Sequence, residues 1–414
     1  MRFAGGEMIG VASKPGRIAL GALAFALPLS SFAACADTKA GNTDEEDPSK
    51  VVDARDAGDA SGDAGPDAPS CDAASSDCVT DAISCDDAAW CPVPSPLAPT
   101  SVLTSVWGWG KDDVLAVGSG GAVLRWDGAK WSAVKAPDAK LTFTRVWGTG
   151  ANDIWLIAGT DALYHSTRLA GGAPEWRAEP NLGGEPYNAA TLFAVWGSGA
   201  GDVRVGGARL QLDTREGLVD FNQFVRVAGA TTWEGVAGSG TVRGIWGASA
   251  TDVWMLVDNS ATNPWEKGTT LHGTGPSAEA LRWTAIDSRS AVGLDAIWGS
   301  GANDVWAVGE LGTIRRVGAG DARWEIVASP TTARLRSVWG SGPKDVWAVG
   351  QAGTILHYDG ASWTPSVAAF PVGPKPELYG VWGTGPDDVW IVGDGIVLHS
   401  TGDHSGGEDA GGGS

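Results

Sequence analysis

The chain has 414 residues, 22 of them Trp and 61 Gly, and a formal net charge of −20. Residues 36–91 carry −12 and residues 92–414 carry −10, against +2 for residues 1–35, so tail and body alike repel a phosphate backbone and argue against nucleic acid as a partner. No apolar run after residue 35 is long enough to span a bilayer.

Residues 1–34 read as a signal sequence. Lys14 and Arg17 form a basic start, and residues 18–29 are an apolar stretch of h-region length. The run Ser30-Ser31-Phe32-Ala33-Ala34-Cys35 resembles a bacterial lipobox, with Phe32 where Leu is usual. The resemblance implies lipidation at Cys35 and an outer-membrane lipoprotein, since Ala36 rather than Asp follows. The competing reading is simple cleavage after Ala36 and secretion. Residues 35–88 are Asp, Ala, Gly, Ser and Pro in loose repetition, and the composition predicts a disordered, self-repelling acidic tether. Cys71, Cys78, Cys85 and Cys91 predict two disulfides in an exported chain, with three pairings open. Their spacing does not match a zinc site, and neither metal nor cofactor is called for.

From residue 100 onward one unit recurs, most clearly at residues 337–363, SVWGSGPKDVWAVGQAGTILHYDGASW. Its Trp-Gly pair stands at Trp107, Trp147, Trp196, Trp246, Trp298, Trp339 and Trp382. An aspartate follows six positions later, at Asp113, Asp153, Asp202, Asp252, Asp304, Asp345 and Asp388. The intervals of 40, 49, 50, 52, 41 and 43 residues carry four short β-branched or aromatic runs bounded by turn residues. Loops so short make the runs antiparallel neighbours. The prediction is an all-β chain, a seven-bladed β-propeller over residues 89–402, followed by a disordered Gly-rich tail, 403–414. The recurring tryptophans are read as filling the wedge between blades, and the recurring aspartates as capping a loop through Asx-type hydrogen bonds.

A second Trp stands eight residues after the first in five units; Leu115 and Arg204 replace it in the first and third. Each of the first six units ends in another Trp, from Trp131 to Trp363, and the seventh has none. Trp90, 17 residues before Trp107, supplies it on this reading: residues 89–93 are predicted to be the outer strand of the last blade. His165, His357 and His399, and Arg125 and Arg316 in other units, share one position near the end of the third strand. Arginine cannot coordinate a metal, so they are read as partners of the neighbouring Asp. Units two, three and four carry extra residues, near 166–192, 213–232 and 258–270. In the last of these, on the face opposite the repeated aspartates, Asn259, Asn263, Trp265, Glu266 and Lys267 are the candidate ligand-binding residues.

The unit resembles the bacterial β-propeller repeats of secreted lipoproteins. More distantly it is similar to the repeats of photosystem II assembly-factor propellers and to sialidase-type Asp-boxes. It departs from an Asp-box, because Asp359 stands four residues before Trp363 and the Ser/Thr is absent. The sialidase resemblance implies an arginine cluster and a Tyr–Glu pair, and none of Tyr164, Tyr187, Tyr358 and Tyr379 lies in a recognisable context, so no catalytic residue is assigned. The reading favours a non-enzymatic, monomeric scaffold in the cell envelope for protein or glycan ligands, touching the membrane only through a lipid anchor. The alternative is an exported glycosidase or lyase with its site at the channel. Convergent acids and bases there would favour the enzyme; a channel of backbone and small residues would favour the binder.

Overall fold

A computed structural model describes residues 77–400, apart from 160–161, 171–172, 180–181, 183–190, 200, 215–216, 228–229, 231, 262 and 319. The signal sequence, Cys35, Cys71, most of the tether and the tail lie outside the described residues.

Seven four-stranded antiparallel sheets form the fold. Blades 1 to 7 occupy residues 103–133, 143–178, 192–237, 241–286, 294–327, 335–365 and 378–400. In blade 6 the strands are Leu335–Gly342, Asp345–Gly350, Ile355–Tyr358 and Trp363–Pro365. Each innermost strand contacts those of both neighbouring blades, and the first touches the seventh, so the ring is closed around a channel. The outer strand of blade 7 is Trp90–Pro92, which pairs antiparallel with Ile396–Ser400 in the register Trp90 to Ser400 and Pro92 to Leu398. Residues 90–92 thus complete the last sheet.

The core consists of interblade layers. One holds Trp347, Val349 and Ile355 of blade 6 with Leu378, Val389 and Ile391 of blade 7 and Trp90. In five junctions the second-strand Trp of one blade meets the outer-strand Trp of the next nearly edge to face. Centroids are 4.8–5.6 Å apart in the pairs Trp347–Trp90, Trp390–Trp131, Trp155–Trp233, Trp254–Trp324 and Trp306–Trp363. The first-strand tryptophans act nearer the axis: the indole of Trp298 lies where a Cβ on Gly340 would sit, and Trp107 and Gly148 repeat the arrangement.

The extra residues go to different places. In blade 3 they lengthen the second and third strands into a hairpin, Asp202–Thr214 with Gly217–Val227. In blade 2 they add a small hairpin, Leu169–Ala170 with Ala173–Pro174, before the outer strand. The tether ends earlier than residue 88 in sequence terms: Cys78–Val79 pairs with Gly373–Pro374, and Cys85–Asp87 forms a 3-10 turn capped by Ser84. Cys85 is bonded to Cys91, beside the closing strand, and Cys78 is also disulfide-bonded.

Candidate functional site

The repeated aspartates are structural. In blade 2 Asp153 accepts from Thr149 Oγ1 at 2.7 Å, from Trp155 Nε1 at 3.0 Å, and contacts His165 Nε2 at 2.8 Å. The His165 ring lies flat on Trp155, centroids 3.8 Å apart. The stack recurs with Trp347–His357 and Trp390–His399, and in blade 5 Arg316 takes the place of His, over Trp306 and 2.7 Å from Asp304. The Asx turns are elsewhere than expected. The Asp-Gly turns carry them: Asp359 accepts from the N–H groups of Ala361 and Ser362 at 2.8 and 2.9 Å. The repeated aspartates instead take the third-strand His or Arg in every blade but the third, and a hydroxyl four residues back in blades 2, 3, 5, 6 and 7. Blade 4 has the same contact through His272, 2.8 Å from Asp252, which the inserted residues displace from its usual spacing. The Leu-His pair that also marks blades 6 and 7 is the signal that identifies it.

His165 is the most enclosed of these. Its Nδ1 lies 3.6 Å from Glu179, which also holds Arg226 at 2.9 Å. Burial pulls its pKa down, but the bonds to Asp153 and Glu179 outweigh burial and raise it above the ordinary histidine value. The same network outweighs burial at Asp153 and Glu179 and lowers both.

The channel mouth is built by a repeated irregularity. In every blade the pairing of the first two strands slips by one residue three positions before the first-strand Trp. A bulge re-aims its side chain. The seven bulged residues are Thr104, Thr144, Phe193, Arg243, Asp295, Arg336 and Tyr379, and together with Arg145 they line one cavity of about 220 Å³. Inside an otherwise regular unit this position varies freely, which is the sequence signal that sequence reasoning missed. The channel is thus neither a ring of small residues nor a convergence of acids and bases; it carries three arginines.

Two of these arginines have acid partners at the rim. Arg243 lies 3.2 Å from Asp258 and over the Phe193 ring; Arg336 lies 2.7 Å from Glu377 and over Tyr379. Asp295 is held bidentately by Arg334, both bonds 2.7 Å. Arg145 is different. Its Nη1 donates to Thr144 O at 2.9 Å, and among the described residues no carboxylate lies within ion-pair distance. Burial lowers its pKa from the ordinary arginine value, with Asp295 opposing. Beside Tyr379, burial and Glu377 raise the Asp394 carboxyl above its ordinary value, although Tyr379 hydrogen-bonds it.

The predicted ligand-binding loop grows from Asp258, the partner of Arg243, so it rises at this same mouth. Most of its polar groups shape the loop itself. Asn263 Nδ2 donates to Glu266 Oε1 at 2.8 Å, its Oδ1 accepts from the Trp265 N–H, and Asn259 Nδ2 donates to Thr269. Trp265, 81% exposed, and the exposed Lys267 are what the loop presents.

The fold has solved counterparts. YCF48 bound to D1 peptide is similar with a TM-score of 0.56 and 16% identity, over 77% of this chain and 99% of that one. YCF48 from Cyanidioschyzon merolae gives 0.56 and 17% over 77% and 100%, and a streptogramin B lyase 0.55 and 11% over 73% and 94%. At these identities the likeness is one of fold. No protein-family model matches the sequence. No curated protein matches it either.

Proposed function

We propose that this propeller is a binding scaffold, monomeric and tethered in the cell envelope through Cys35, whose ligand is an acidic peptide segment taken up at the channel mouth. The observation that carries this is Arg145, a channel guanidinium with no ion-paired carboxylate among the described residues, sharing its cavity with Arg243 and Arg336 in a protein of net charge −20. The acidic body repels an acidic peptide everywhere else, so the attraction is confined to this one guanidinium charge that the rim acids leave unpaired. An incoming carboxylate gains a charge-assisted, fork-shaped contact. Phe193, Tyr379 and the exposed Trp265 offer apolar surface around it. That YCF48 has been solved with a peptide supports a propeller of this shape as a peptide receptor.

The test is fluorescence anisotropy of the mature protein with labelled acidic, neutral and basic peptides of equal length. Acidic peptides bind best, and binding weakens with salt. Arg145→Ala lowers affinity by roughly tenfold or more, the worth of one charged hydrogen-bonded contact. Equal binding of all three peptide classes, or an unaltered affinity in Arg145→Ala, would overturn the reading.

A second reading, an exported glycosidase or lyase, draws on Asp394. Its carboxyl is raised by burial and Glu377 and lies next to Tyr379, as a general acid at the mouth would. Release of product from a panel of glycosides by wild type, and its loss in Asp394→Asn, would favour the enzyme.

A further inference from the structure

Two blade junctions lack the edge-to-face indole pair. Between blades 1 and 2, Leu115 stands in place of the second-strand Trp, and between blades 3 and 4, Arg204 does. The outer-strand tryptophans facing them, Trp176 and Trp283, have no ring partner among the described residues and stay half-buried. Each lines a cavity, of about 550 Å³ at Trp176 and about 300 Å³ at Trp283. Only the cavity at Trp283 is also lined by the residue that replaces the indole, Arg204, so there the missing ring leaves open space.

The cleft at Trp283 is chemically furnished. Arg204 lines it and is 1% exposed. One guanidinium nitrogen, Nη2, donates to Ala278 O at 2.5 Å and stands 3.7 Å from Asp202 Oδ1. Among the described residues the buried Arg204 Nε–H has no hydrogen-bond partner. Leaving such a donor unmet destabilises the fold, so an acceptor from a ligand is favoured there. Val225 and Leu281 line the cleft with Trp283, while two exposed carboxylates, Glu234 and Glu279, stand at its rim.

We propose that this cleft is a binding site for a small phenolic amine. The unmet Arg204 Nε–H calls for an acceptor, and the rim carboxylates disfavour an anionic one, so a neutral phenol oxygen meets it. The ring takes the place of the absent indole against Trp283, at the separation the five paired junctions show. The rim carboxylates Glu234 and Glu279 suit an ammonium on a short tail and repel an acidic one. The cleft lies at the lower end of the usual range of ligand-site volumes, which restricts it to a single ring. This site is separate from the channel mouth and does not depend on its function.

Calorimetry and ligand-observed NMR on the mature protein test it, with tyramine, phenethylamine and 3-(4-hydroxyphenyl)propionate as probes. Tyramine binds; phenethylamine, lacking the hydroxyl, binds about tenfold more weakly, and so does the acid-tailed phenol. Arg204→Trp, which restores the pattern of the other junctions, fills the cleft, abolishes tyramine binding and raises the melting temperature. Arg204→Leu leaves the cleft open without its donor, so tyramine and phenethylamine bind alike. The proposal falls if wild type does not take up tyramine at millimolar concentration, or if folded Arg204→Trp binds it as wild type does. Should Arg204→Trp fail to fold, continued preference for tyramine in Arg204→Leu overturns it.

Discussion

Gly340 shows how a single missing side chain fixes a blade's neighbour. A Cβ there would come within 2.5 Å of Asp345 O and 2.7 Å of the Trp298 indole, whereas one at Gly342 would meet nothing within 4 Å. The two glycines of the motif are therefore not equivalent. Gly340→Ala is expected to lose about 1–3 kcal/mol as an overpacking change, and Gly342→Ala to change little, in urea unfolding. His165 gives a pH dependence. Its folded pKa is raised from 6.5, so its contribution is full below that value and is lost as pH rises through the folded one. Asp153 and Glu179 are lowered from 3.8 and 4.5, so theirs is present above those values and lost as pH falls through the folded ones. The junction of blades 2 and 3 is thus firmest in mildly acidic solution. His165→Gln should flatten the decline of melting temperature on the alkaline side; a slope equal to wild type would remove His165 as its source.

At the scale of elements, the closing strand is short yet heavily anchored. Trp90 is fully buried, packs edge-on against Trp347 at 4.8 Å, and donates from Nε1 to Ser366 Oγ at 3.1 Å. Three residues of ladder alone would hold weakly; the indole supplies the grip by filling the wedge between blades 6 and 7. Trp90→Ala is expected to cost about 3–5 kcal/mol, read from urea melts of the full chain. A loss no larger than that of an exposed substitution would mean that the ring closes without it. The Cys85–Cys91 bond ties the strand to the 3-10 turn that precedes it. The bulge before each first-strand Trp is the other device at this scale, because it frees one side chain per blade from the packing rules of the sheet.

Across the whole molecule, those freed side chains converge. Seven positions far apart in sequence become one ring, and three arginines meet in a chain of net charge −20. The salt dependence of peptide binding belongs to this scale, since it reports the contrast between mouth and body. The number of blades, the wedge tryptophans and the donation of Trp90 were legible in the chain, because periodic burial forces a periodic sequence. The mouth was not. Its positions recur three before each first-strand Trp but their residue types follow no pattern, and nothing in Arg145 or Arg243 taken alone says which carboxylate lies near. Nor does the substitution of Arg204 for Trp say whether its neighbours collapse or leave a cleft. Local pattern determines which residues must be hidden and so determines the ring; which charges remain unpaired, and where space remains, depends on distances between blades that only the closed structure sets.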